Sequence, residues 1–199
     1  MSDEPHSDAP ALLSALILAA GLSRRAGPAN KLLADIDGRP MVRRVAETAI
    51  AAGFAPVVAV TGFEADKVSD ALAALPIEIA VNPEFEEGMA ASIRAGIRAL
   101  PAEVAGVLIC LGDMPWVSAD TLIGLAARFA PAEGRSICRP VYDGRPGNPV
   151  LFARRYFPEL LDLAGDRGAK AVLQAHVGDV CDCPVDDPGV LRDLDKPQT

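Results

Sequence analysis

The segment Leu18-Ala19-Ala20-Gly21-Leu22-Ser23-Arg24-Arg25-Ala26-Gly27-Pro28-Ala29-Asn30-Lys31 leaves an apolar run and enters a glycine-punctuated loop bearing two arginines and a lysine. Small residues let backbone N–H groups approach a phosphate chain, and Arg24 and Lys31 supply cations that neutralise it. The spacing matches neither widespread phosphate loop. In G-x-x-x-x-G-K-[ST] the lysine directly follows the second glycine, but here Pro28 follows Gly27 and Lys31 comes four residues after it. G-x-G-x-x-G is also absent. A basic surface loop is the plain structural alternative.

A second segment, Gly112-Asp113-Met114-Pro115, directly follows the apolar run VAGVLICL. A carboxylate at the end of a buried strand is costly unless it meets a cation, and Mg²⁺ carried by a nucleotide is a fitting one. Capping the following turn is the other role for Asp113. A third segment, Asp193-Leu194-Asp195, alternates carboxylates so that one side chain points inward and one outward. Only pairing across space with Asp113 would make it a metal site. Trp116, just beyond the second segment, either stacks on an acceptor ring or packs against the strand end.

These segments need a scaffold that presents strand ends side by side. Strand-like runs are expected at 14–20, 56–61, 77–81, 104–111, 135–139, 150–152 and 177–183. Helical patterns fill 40–52, 65–74, 89–100, 119–129, 154–163 and 169–175. This alternation defines an α/β chain with a mostly parallel central sheet covered on both faces. Ligands of such sheets bind at the carboxyl ends of strands, where the first two segments fall. Pro40 suits a first helical turn, and Gly53 suits a helix stop. The stretch Tyr142 to Pro149, rich in Gly and Pro, reads as a hairpin-like excursion over the sheet edge.

No repeat or linker divides residues 14–195, so one domain is expected over 14–199 behind a frayed tail over 1–13. At 199 residues the chain hides roughly 70% of its unfolded surface and needs no disulfide or structural metal. Its formal net charge of −8 repels phosphate backbones and anionic membranes, which argues against nucleic-acid and membrane partners. The longest apolar stretch, Leu12 to Leu22, is about half the ~20 residues a spanning helix needs. The acidic start MSDEPHSDAPA is unlike a basic signal-peptide region, so a cytoplasmic protein is expected. Cys110, Cys138, Cys181 and Cys183 lack C-x-x-C spacing and read as reduced, buried or half-buried thiols rather than a zinc or redox site.

In this order the segments resemble the MobA-like nucleotidyltransferases, in particular their molybdenum cofactor cytidylyltransferase (MocA-type) branch. Leu18 through Leu33 is similar to the pattern L-A-A-G-x-S-x-R-M-G-x-x-N-K-L-L, and Gly112 to Pro115 is G-D-M-P. Gly165 to Lys170 resembles the branch's G-D-x-G-A-[RK], and Asp193 to Pro197 its D-x-D-x-P. Asn82-Pro83 with Glu87 to Gly96 resembles the base-recognition loop and helix.

The resemblance implies a Rossmann-like three-layer α/β/α fold, Mg²⁺ (or Mn²⁺), and transfer of a nucleoside monophosphate from an NTP to a phosphorylated acceptor with pyrophosphate release. It assigns Lys31 and Arg24 to the triphosphate and transition state. It gives Asp113 and Asp195 to the metal, with Asp193 as a further candidate. Leu18, Ala19, Ala20, Gly21, Leu22 and Ser23 line the base and phosphates, and Gly88 and Ser92 complete the base pocket. Asn148, Trp116 and Asp166 face the acceptor. Ala19-Ala20-Gly21 leans toward CTP, since A-G-G accompanies GTP. Molybdopterin cofactor is the implied acceptor, and a molybdoenzyme or its chaperone the implied protein partner. The chain departs from the pattern at Ala26, where the family has methionine, and at Asn148, where the branch has histidine. A sugar phosphate as acceptor, or a non-catalytic cofactor-binding accessory protein, are the alternatives.

Overall fold

The most apolar runs form the middle of the sheet. The computed structural model describes residues 11–22 and 30–194. Strand β1 (Leu13–Ala19) carries the run LSALILA. Ala15, Ile17 and Ala19 face one helix layer and Leu16 the other, so both faces are apolar and the strand reads as continuous hydrophobicity.

Two short strands, β2 (Asp35–Ile36) and β3 (Arg39–Pro40), form a hairpin off the main sheet. Helix α1 (Met41–Ala51) follows, then β4 (Val57–Thr61), α2 (Ala65–Ala71) and β5 (Glu78–Val81). Next come α3 (Met89–Ala99), β6 (Gly106–Leu111), α4 (Ala119–Arg128) and β7 (Ile137–Tyr142). The chain continues through β8 (Arg145–Pro146), β9 (Val150–Ala153), α5 (Phe157–Leu161), α6 (Lys170–Ala175) and β10 (Val180–Pro184). The main sheet runs β10-β7-β9-β6-β1-β4-β5. Only β9 on this path opposes the others, so the sheet is mostly parallel.

Burial selects the layers. Met41, Val42, Val45, Ala46 and Ala49 form one stripe of α1 and pack on the sheet with residues of α2 and α4. Ile93 and Ile97 of α3, with Leu160 of α5 and Val172 of α6, cover the opposite face. Gly53, at φ 84°, stops α1 as expected.

Several expectations shift. Pro40 closes β3 and stands immediately before α1 instead of inside it. The hairpin at 35–40 escapes periodicity because two-residue strands show none; its turn at Asp37 and Gly38 is secured by the Asp35 carboxylate, which accepts from Gly38 N–H at 2.8 Å. Residues 154–156 and 177–179 are 3₁₀ turns, so the helix and strand expected there begin later. The stretch 142–149 does not cross an edge. β10 occupies that side of β7, and β8 folds back on the same side as β9 through Asp143 and Gly144, both with positive φ. No helix among the described residues is long and apolar enough to cross a membrane.

Candidate active site

The carboxyl edge of the sheet gathers the sequence's candidates. Asn30 starts the turn Lys31–Leu33: its side chain accepts from Leu32 N–H at 3.1 Å and donates to the Phe63 carbonyl at 3.4 Å. That aims Lys31 across the end of β1 toward Asp113 at the end of β6. Lys31 Nζ meets Asp113 Oδ2 at 2.7 Å, and both side chains are largely but not wholly covered, at 17% and 21% exposure. A partly desolvated pair that still touches solvent can be opened by an incoming anion or cation.

Gly112 makes this approach feasible. Its N–H donates to the Leu18 carbonyl at 3.1 Å, and a Cβ there would lie 2.8 Å from the same oxygen. Any side chain would push the Asp113 turn away from β1. Leu18 and Ala20 spend their carbonyls on Gly112 and Phe63, while Gly21 is exposed at the strand's exit. Ser23, Arg24, Ala26 and Asp195 lie outside the described residues. The segment leading to Asp195 nevertheless arrives at Asp113, because Leu194 N–H donates to the Asp113 carbonyl at 3.0 Å. Asp193 is exposed beside it.

Asp187 anchors that arriving arm, a role sequence reading missed. One carboxylate oxygen accepts from Ser118 N–H at 2.9 Å and Thr121 Oγ1 at 2.7 Å, and the other from Gly189 N–H at 2.9 Å. Burial opposes its ionisation, but these donors together hold its carboxyl below the usual range. The available signal was Asp187-Pro188-Gly189, a turn sequence. Asn148 N–H donates to the Val190 carbonyl at 2.9 Å, and the Arg192 guanidinium lies 3.8 Å above the Trp116 ring centroid. Trp116, Asn148 and the arm therefore form one wall. Arg192, the other residue sequence reading missed, takes one face of the tryptophan.

The opposite wall surrounds the start of α3. Asn82 Nδ2 donates to Ser92 Oγ at 3.2 Å, and both residues are buried. Gly88 has φ 103°, a backbone that disfavours any side chain, and a Cβ there would fall 2.1 Å from Asp166 Oδ1. Asp166 thus sits against the beginning of α3, placing the Gly165–Lys170 motif beside the Gly88–Ser92 motif. Arg94 secures this by donating to the Leu163 carbonyl at 2.8 Å and to Glu87 at 3.1 Å.

Parallel strand ends, an ammonium–carboxylate pair and flanking polar walls suit nucleotide binding, and the family match makes the chain a nucleotidyltransferase. The chain belongs to the MobA-like NTP transferase domain family, whose sequence model matches residues 15–180. It is 30% identical to nicotine blue oxidoreductase of Paenarthrobacter nicotinovorans over 89% of this chain and 90% of that protein. It is also 30% identical to purine catabolism protein PucB of Bacillus subtilis, over 94% and 93%. In structure it is similar to Rv0371c of Mycobacterium tuberculosis H37Rv, with a TM-score of 0.81, 27% identity and 94% of each chain covered. A manganese complex of Rv0371c is also among the similar structures, at a TM-score of 0.74 and 26% identity, covering 87% of this chain and 88% of that one.

Proposed function

We propose that the protein is a divalent-metal-dependent cytidylyltransferase that moves CMP from CTP to the phosphate of molybdopterin cofactor. The observation carrying this reading is the Lys31–Asp113 pair at 2.7 Å, set where the arm leading to Asp195 returns. An acceptor phosphate oxygen attacks the α-phosphorus, the α–β bridging P–O bond breaks, and its electron pair leaves with pyrophosphate. No protein nucleophile is required.

Lys31 exchanges its contact with Asp113 for the triphosphate oxygens as nucleotide enters, and Arg24 adds a second cation. Both stabilise charge that grows on the leaving oxygens. Hard carboxylate donors suit Mg²⁺ or Mn²⁺, and Asp113 with Asp195 would hold the ion. When bound, it neutralises and orients phosphate oxygens for in-line displacement. Asn82 donates to the Ser92 oxygen, so the Ser92 hydroxyl keeps a proton to offer an acceptor atom of the base. Preference for cytosine is inferred from Ala19-Ala20-Gly21. Trp116, Asn148 and Asp166 contribute to the acceptor side, and a molybdoenzyme or its chaperone would receive the product.

The test is pyrophosphate release with molybdopterin cofactor and each of CTP, GTP, ATP and UTP. CTP is expected to exceed the others, and chelation with EDTA to abolish release until Mg²⁺ or Mn²⁺ is restored. Release only with a sugar phosphate would replace the acceptor. Nucleotide binding without turnover on a broad acceptor panel would favour an accessory protein. The name of the Paenarthrobacter relative supplies a redox reading, which predicts substrate reduction that needs no NTP.

A further inference from the structure

Far from Asp113 in the strand order, the outer edge of the sheet brings together sulfurs that the sequence scatters. The parallel ladder sets Cys181 of β10 beside Cys138 of β7, and the two-residue strand repeat returns Cys183 to the same face. One sulfur from each of these cysteines lies within 4.8 Å of the others. Cys138 and Cys183 are buried and Cys181 is half-buried, so the cluster is enclosed on its inner side with one member reaching solvent. Cys110 lies apart on β6, separated from β7 by β9.

We propose that Cys138, Cys181 and Cys183 form a binding site for a thiophilic d¹⁰ metal ion, Cu⁺ or Zn²⁺. Thiolate sulfur selects such ions over the hard cations suited to Asp113. An ion centred among three sulfurs at about 2.3 Å holds them about 4.0 Å apart. Cys181 Sγ and Cys183 Sγ already stand at 4.0 Å. Small side-chain rotations close the remaining gap. Loading breaks three S–H bonds, forms three S–metal bonds and releases three protons to solvent. The positive charge of Arg128 acts on both Cys181 and Cys183, offsetting part of the negative charge of the thiolates. With one ligand from β7 and two from β10, the ion would clamp the outermost strand to its neighbour.

The test uses the full chain, purified under reducing conditions, loaded with Cu⁺ or Zn²⁺ and desalted. One ion per chain is expected by elemental analysis, with sulfur-only near neighbours for copper by X-ray absorption and a metal-dependent rise in Tm. Cys181→Ser, at the half-buried position, should retain the fold yet lose at least tenfold in affinity; Cys183→Ala provides a second disruption. Cys110→Ser and Asp113→Asn should retain the metal, and Mg²⁺ should not compete. Retention of neither metal, or equal retention by folded Cys181→Ser, would overturn the proposal. These readouts stand whether or not the transferase reading succeeds.

Discussion

Lys31 and Asp113 neutralise each other at 2.7 Å, so substitution of either affects the electrostatics of the folded protein as well as chemistry. Asp113→Asn keeps the shape and a hydrogen-bonding group while removing the charge a divalent ion needs. Turnover should fall by about 10²–10³-fold, the scale of losing one electrostatic contact to a transition state, while the melting curve changes little. Steady-state pyrophosphate release beside a thermal melt reads both; unchanged turnover would remove Asp113 from the metal. Gly88→Ala tests the opposite wall. Its φ of 103° and the 2.1 Å approach of its added methyl to Asp166 predict about 1–3 kcal/mol of lost stability and a raised KM for the nucleotide, read by denaturation and initial rates. Asp113 and Lys31 were legible from charge at strand ends. Asp187 was not, because its importance lies in donors 66 and 69 residues away.

Among the elements, the C-terminal arm couples fold to site most directly. The Asp187 carboxylate links the start of α4 to the turn Pro188–Leu191, and from that turn the chain reaches Leu194 and the Asp113 carbonyl. Asp187→Ala leaves Ser118 N–H, Thr121 Oγ1 and Gly189 N–H without this acceptor. A loss of about 1–3 kcal/mol is expected, with turnover reduced beyond what the remaining folded fraction explains. Urea denaturation and activity at a temperature where the variant remains folded separate these effects. Central strands were readable because two-sided burial writes a near-continuous apolar run, as in β1 and β6. The β2–β3 hairpin and the side on which β8 folds were not, since two-residue strands have no period and pairing partners are a tertiary choice. The meeting of Cys138 with Cys181 was hidden for the same reason: register, rather than spacing along the chain, makes them neighbours.

At the scale of the whole molecule, acid exerts two opposing effects. It reduces a formal net charge of −8 and so weakens self-repulsion, but exposed charges farther apart than about 8 Å are already largely screened at physiological ionic strength. Acid also protonates carboxylates on which the fold depends. Burial resists ionisation of Asp187, yet its three donor groups hold its carboxyl below the usual range. Asp179 is lowered chiefly by the Tyr156 hydroxyl, which donates at 2.6 Å, with Arg155 assisting at 3.0 Å. For both, the folded value lies below the unfolded one. Their stabilisation is therefore complete above the unfolded aspartate value near pH 4 and is lost as pH falls through the lowered folded values. The local loss should outweigh relief of screened repulsion, giving decreasing stability below about pH 4. Asp187→Asn supplies the discriminating comparison: it should be less stable than the parent at pH 7, and the gap should narrow in acid as the parent's own carboxylate is protonated. Asp179→Asn should show the same direction with a smaller amplitude, because that group faces solvent. Urea denaturation from pH 7 to pH 3 measures both gaps, and a gap for Asp187→Asn that stayed constant would mean its carboxylate charge is not what holds the arm.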